Sequence, residues 1–244
     1  MKINKFNKVK KAFFSVILFF ICSTTTFYSQ VFCINKTSDQ VQGELDGYRY
    51  ELWNQNSEGT ACMTLGKGAL FSGEWIDIHN YLARRGLSFD QTQEHQEIGS
   101  FFTTYNCEYN PSSAKKGNSY LSVYGWTTNP LTEFYILEDW RNWIPSMDKN
   151  AVLKGSFYAD GSIYDVYECV RVNQPSIVGV TTFPQYFSIR RDRRNSGDID
   201  ISKHFNKWKS LGLLMGKMYE VSFVVEGYKS SGSFNFKQLE IVVK

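Results

Sequence analysis

The chain has little of what metal and phosphate chemistry require. Only three histidines occur in 244 residues, at positions 79, 95 and 204, too dispersed for a ligand cluster. Five cysteines are present, Cys22, Cys33, Cys62, Cys107 and Cys169, and their spacings fit no zinc pattern. No glycine-rich phosphate loop or dinucleotide fingerprint appears, so neither a metal nor another cofactor is expected. No apolar run is long enough for an ordinary transmembrane helix. The strand–helix–strand rhythm of a parallel sheet is missing as well.

Basic character is confined to one end. The chain carries 27 basic and 24 acidic residues. Five of the lysines, Lys2, Lys5, Lys8, Lys10 and Lys11, lie in the first 30 residues, which hold no acid. Beyond them, 22 basic residues face 24 acidic ones, a net charge of −2. That balance gives no footing for a nucleic-acid partner. The lysines, the apolar run Ala12–Cys22 and the Ser/Thr stretch after it form a secretory leader over 1–30, with cleavage expected between Ser23 and Val31. The mature protein is therefore expected outside the cell, as a monomer, with no membrane contact. Export permits disulfides, but their connectivity does not follow from spacing. Residues 31–43 are polar and aperiodic and read as a short tail, with Cys33 in it. Residues 44–244 are long enough for one domain.

That domain is written in strands. Gly117–Asp139 reads as two of them joined by a turn at Thr-Asn-Pro. Tyr120, Ser122 and Tyr124 alternate with Leu121 and Val123, and Glu133, Tyr135 and Leu137 with Phe134 and Ile136. Further strand patterns occupy Tyr48–Trp53, Cys62–Leu65, Phe71–Tyr81, Ser100–Tyr105, Tyr186–Arg191, Tyr219–Glu226 and Phe234–Val243, with a hairpin at Ala159–Ser162. One stretch is helical: Ile201, Phe205, Trp208 and Leu211 share a face, with Asp200 or Ser202 as cap and Gly212 as stop. Many short strands and a single helix predict an all-β sandwich or jelly roll.

Two carboxylates stand out on non-core faces. Glu133 shares its face with Tyr135, near Tyr124 and Trp126. Glu226 closes the run Tyr219-Glu-Val-Ser-Phe-Val-Val-Glu226, whose core face is Tyr219, Val221, Phe223 and Val225. Two carboxylates meeting across a groove lined with aromatic rings are what glycoside hydrolysis needs: one protonates the leaving oxygen, the other attacks the anomeric carbon or activates water. Taken alone, each is also an ordinary solvated glutamate on the polar face of a half-buried sheet.

The surrounding text is more specific. YLSVYGW at Tyr120–Trp126, NPLTEFYILE at Asn129–Glu138, NQPSI-G at Asn173–Gly179, Gln185-Tyr186 with SIR at Ser188–Arg190, and VEGYKSSG at Val225–Gly232 resemble the family 11 glycoside hydrolases. The resemblance runs from Tyr48 to the C-terminus. It implies a jelly roll of two packed, strongly curved antiparallel sheets with one α-helix, and a secreted endo-β-1,4-xylanase acting on xylan. It implies Glu133 as nucleophile and Glu226 as acid/base. Trp53, Tyr124, Trp126, Tyr135, Arg171, Gln185 and Tyr228 would contact the sugar, and Pro175, Ser176 and Ile177 would form the tip of a loop closing over it. Asn80 matches the position that hydrogen-bonds the acid/base, and a neutral group there implies activity at mildly acidic to neutral pH. Arg171 would favour an ionised Glu133. Phe134 and Phe187 stand where the family often has Tyr and Trp. Two other outcomes share the architecture: a non-catalytic carbohydrate-binding module, which has no need of both carboxylates, and an endo-glucanase, against which the PSI tip and the EGY-SSG motif speak.

Overall fold

The computed structural model describes residues 29–35, 40–112 and 117–244. The leader sequence lies almost wholly outside the described residues. Among the described residues thirteen strands occur in chain order: β1 (Gln30–Ile34), β2 (Gln40–Leu45), β3 (Tyr48–Gln55), β4 (Thr60–Leu65), β5 (Phe71–Ser88), β6 (Phe101–Pro111), β7 (Asn118–Thr128), β8 (Thr132–Arg141), β9 (Val152–Ala159), β10 (Ser162–Gln174), β11 (Thr181–Arg190), β12 (Ser196–Asp200) and β13 (Lys217–Val243). Helix α2 (Ile201–Ser210) follows β12, and a single turn, α1 (His95–Ile98), precedes β6. Among the described residues no helix is long and apolar enough to cross a membrane.

Two long strands build the curvature. β5 pairs antiparallel along nearly its whole length with the stretch of β13 from Glu220 to Asn235. The first half of β5 also pairs with β4, and its second half with β3. β13 pairs with β7 up to Tyr228 and with β6 from Gly232 onward. One layer therefore reads β1-β4-β5-β13-β6-β12 and the other β2-β3-β5-β13-β7-β8-β11-β10-β9, with β5 and β13 bending from one into the other. The bends fall where Asp77 and Lys229 adopt positive φ, 49° and 48°. Trp75 is wedged into this corner. A Cβ on Gly227 would lie 2.5 Å from its Nε1 and one on Gly232 2.5 Å from its Cζ2, so the two glycines of the EGY-SSG motif make room for the indole. Trp75 Nε1 donates to Ser230 Oγ at 3.0 Å.

Local chemistry accounts for the other turns. Asp46-Gly47 and Asp160-Gly161 all have positive φ and close the β2–β3 and β9–β10 hairpins, as two-residue type I′ connections demand. Asp200 caps α2 by accepting from the Lys203 amide at 3.0 Å, and Gly212 ends it with φ 79°. Between the layers, Leu121, Val123, Phe134, Ile136, Val221, Phe223 and Val225 join one core with Phe205 and Trp208 of α2. A second cluster, including Tyr124, Trp126, Tyr135 and Phe187, covers the concave face of the other layer.

Five readings of the sequence change here. Residues 31–43 are not simply a tail: β1 pairs with β4 and β2 with β3, so the described part of this segment lies along sheet edges. Cys33 is bonded to Cys62, and Cys107 and Cys169 are free and buried. Tyr219–Glu226 and Phe234–Val243 are one 27-residue strand, and the polar run between them is its bend. The sheets are not wholly antiparallel, since β11 runs parallel to β8. A register shift at Met218/Glu220 also turns Tyr219 off the core face, to pack at the edge of the concave cluster.

Candidate active site

The concave layer holds a cleft of about 910 Å³. Strand pairing sets its floor. Trp126 lies opposite Glu133 and Tyr124 opposite Tyr135 on β7 and β8. Gln185 lies beside Glu133 across the parallel β8–β11 pair, and Glu226 faces Tyr120 across β13–β7. Period 2 does the rest: Tyr120, Tyr124 and Trp126 line the cleft, as do Glu133 and Tyr135, while the residues between them enter the core.

One phenol joins the two carboxylates. Tyr135 Oη lies 3.1 Å from Glu133 Oε1 and 3.1 Å from Glu226 Oε1. The two oxygens are thus at most twice that distance apart, compatible with the separation of about 5–5.5 Å between carboxyl groups that a retaining glycosidase requires. Tyr124 Oη also donates to Glu133 Oε1, at 2.9 Å, and Gln185 Nε2 donates to its other oxygen. Glu133 is therefore held at both oxygens.

Burial separates the two acids unequally. It raises Glu133 above the ordinary carboxylate range, but hydrogen bonds from Gln185, Tyr124 and Tyr135, and then the charge of Arg171, pull back toward the ionised form. Glu226 is pushed up to about 8, first by burial and then by the charge of Glu133; the Tyr135 hydrogen bond, Arg84 and Arg171 oppose this. Near neutral pH the arrangement favours one bare and one protonated carboxyl group.

The other expected residues take varied places. Trp53 is half-buried in the wall and Tyr228 is exposed at the rim. Pro175, Ser176 and Ile177 sit in the loop between β10 and β11, closed by mutual backbone hydrogen bonds of Ser176 and Gly179 at 3.0 and 3.2 Å, with Ile177 resting on the concave cluster. Arg171 is exposed, its Nη2 3.4 Å from Gln174 Oε1. It lowers Glu133 as expected, though the hydrogen bonds act more strongly. Trp126 is buried; its indole N–H donates to Tyr124 Oη and its ring packs on Phe183 at 4.9 Å, so it orients Tyr124 more than it offers a surface to sugar. Asn80 does not hydrogen-bond Glu226. Its amide donates to Gln55 Oε1 at 3.3 Å, because the β3–β5 register sets Asn80 beside Gln55.

Arg84, Glu51 and Glu220 also line or underlie this cleft, and sequence reasoning missed them. The signal available was Arg84-Arg85 directly after the apolar run Tyr81-Leu82-Ala83 of β5. Arg84 faces the cleft; Arg85 faces the core, donating to the carbonyls of Gly66, Leu70 and Leu45. Among the described residues no cluster of His, Cys, Asp and Glu is placed to hold a metal ion.

Comparison with known proteins agrees with this geometry. The profile described as glycosyl hydrolases family 11 matches residues 45–237. The chain is 51% identical over 193 residues to an endo-1,4-beta-xylanase A of Bacillus pumilus, covering 79% of this chain and 80% of that protein. It is 47% identical over 203 residues to an endo-1,4-beta-xylanase A of Thermoclostridium stercorarium, covering 83% of this chain but 30% of that longer protein. The structure superposes on the family 11 xylanase of Neocallimastix patriciarum with a TM-score of 0.82 at 36% identity, over 88% of this chain and all of that one.

Proposed function

Because the chain belongs to glycosyl hydrolases family 11, we propose that it is a retaining endo-β-1,4-xylanase that cleaves internal bonds of xylan. The observation that carries the reading is the single tyrosine oxygen shared by two carboxyl groups, the buried one of Glu133 and the half-buried one of Glu226. In the first step Glu226 protonates the glycosidic oxygen while a Glu133 oxygen attacks the anomeric carbon from the opposite side, forming an ester to the sugar. Tyr124 and Gln185 hold the attacking group, and Tyr135 ties it to the donor. Once the ester forms, Glu133 carries no charge, so the second-largest cause of the elevated Glu226 disappears. Glu226 then holds its proton less tightly and, ionised, accepts one from the attacking water.

Three measurements test this. Proton NMR of the nascent cut should show the β-anomer first; an α-anomer first means inversion and overturns the mechanism. Xylan should be hydrolysed far faster than carboxymethyl-cellulose, and the reverse order makes the protein an endo-glucanase. The dependence of kcat/KM on pH should be bell-shaped. Glu226 must be protonated, so activity falls as pH rises through about 8. Glu133 must be ionised, so activity falls again as pH drops through its raised value. Secretion as a monomer, with the 1–30 leader removed, belongs to the same reading.

A further inference from the structure

The cleft floor contains a buried ionic triad that the two-carboxylate reaction does not use. Arg84 of β5 forms salt bridges with Glu51 of β3 and, through Nη1 at 3.0 Å, with Glu220 of β13. All three side chains are almost withdrawn from solvent. Such an assembly is a poor way to stabilise a fold, since desolvating three charges can exceed what their attraction returns. Its position suggests another use. The guanidinium carbon sits 5.1 Å from the centroid of the Tyr124 ring, and Tyr124 Oη donates to Glu133. Arg84 is also two residues along β5 from Leu82, which pairs directly with Glu226.

We propose that Arg84 is a positioning residue: it braces the Tyr124 ring under the nucleophile and holds a fixed positive charge in the cleft floor, two residues along β5 from the partner of Glu226. This rests on reading Glu226 as the proton donor. Burial works against the charge on Arg84, but Glu220, Tyr124 and Glu51 together outweigh it, so the cation persists at any working pH. The charged and titratable groups that line or underlie the cleft with it are Arg49 and Glu51 from β3, His79 from β5, Tyr219, Glu220, Glu226 and Tyr228 from β13, Tyr120 and Tyr124 from β7, Glu133 and Tyr135 from β8, Asp148 before β9, and Cys169 and Arg171 from β10. Arg49 is engaged by Tyr219 Oη at 2.7 Å and Gln42 Oε1 at 3.0 Å. Gln40 Nε2 donates to Glu51 at 2.8 Å.

The sign of the effect follows from the charges. Arg84 acts on Glu226 to lower its proton affinity. Deleting that charge while Glu51 and Glu220 stay ionised leaves the site more negative and raises the affinity. Protons taken up by the stranded Glu51 and Glu220 would offset the rise, and their own carboxyl signals report that uptake; Glu220→Gln, which keeps Arg84, is free of this offset.

The test is a titration of the whole protein labelled with carboxyl-13C glutamate, without substrate. The Glu226 signal is identified by its loss in Glu226→Gln. In Arg84→Met its midpoint should move up by about one pH unit, the low end of what an opposite charge does to a neighbour, while Arg84→Lys should restore most of the original value. Glu220→Gln, nearly isosteric, leaves the Arg84 charge less neutralised and should move the midpoint down. That variant decides the matter if the methionine protein does not fold. The basic limb of kcat/KM should follow in each case. A Glu226 midpoint unchanged in Glu220→Gln, or unmoved between Arg84→Met and Arg84→Lys while the Glu51 and Glu220 signals remain those of carboxylates, overturns the proposal. Because the titration uses no substrate, failure to cleave xylan leaves it standing and refutes only the activity.

Discussion

Glu133→Ala should reduce xylan hydrolysis by about 10⁴-fold or more, the order found when a nucleophile or its base is removed, with the fold intact. The side chain is buried and held by Tyr124, Tyr135 and Gln185, so its removal takes away the one group poised to bond the anomeric carbon. It also leaves a small hole on that side of the sugar. Azide added to this variant, with an aryl β-xylobioside as substrate, should occupy the hole and yield the α-glycosyl azide. Glu226→Ala should behave differently. An activated leaving group needs no protonation, so the ester still forms, and azide should attack it to give the β-azide. If Glu133→Ala turns over at the parent rate, or if the two variants give the same azide anomer, the roles assigned to the carboxylates are wrong.

Trp208→Ala should destabilise the protein by about 3–5 kcal/mol, the usual cost of a tryptophan deleted from a core. Trp208 is wholly buried on α2. Its ring centroid lies 5.6 Å from that of Phe205, 5.7 Å from Phe134 and 6.3 Å from Tyr186. Its indole N–H donates to Ser188 Oγ at 2.9 Å, so the substitution also strands a buried hydroxyl. For a domain of this size the loss corresponds to a fall in Tm of roughly 6–20 °C. Phe134 follows Glu133 in β8 and points the opposite way, which is why the cavity should lower the melting point while kcat at 25 °C stays near the parent value. A shift of only a degree or two would mean that α2 contributes little to the packing behind the catalytic strand.

The strands that carry this chemistry were legible because each obeys period 2 with a simple division of faces. Leu121, Val123, Phe134 and Ile136 are core residues, and their neighbours Tyr124, Glu133 and Tyr135 open on the cleft. Helix α2 was legible for the corresponding reason, with Phe205 and Trp208 on one buried side. What stayed hidden depends on partners remote in the chain. β1 and β2 are short: Phe32 and Ile34 in one and Val41 and Leu45 in the other face the core, but two such positions apiece, between polar neighbours, make too brief an alternation to read as a strand, and the Cys33–Cys62 bond leaves no pattern at all. The continuity of β13 was masked because its bend is polar and changes neighbours, from β7 to β6. Tyr219 was placed on the wrong face by a one-residue register shift. Asn80 points to Gln55 rather than Glu226 for a reason set by strand register. Arg84 went unremarked in the sequence, and only three-dimensional proximity to Glu51 and Glu220 reveals it as a buried, paired charge.

The corner strands have a mechanical consequence. The proton donor rides on a ribbon that, six residues later, is already part of the opposite layer, and the strand beside it makes the same passage. Heat therefore cannot soften the outer face and spare the inner one, because both hang on the same two backbones. An architecture of this kind has no half-melted working form: catalysis and shape should fail together. An insertion that lengthened either ribbon at its elbow, far from any sugar, would be felt at the reacting carbon.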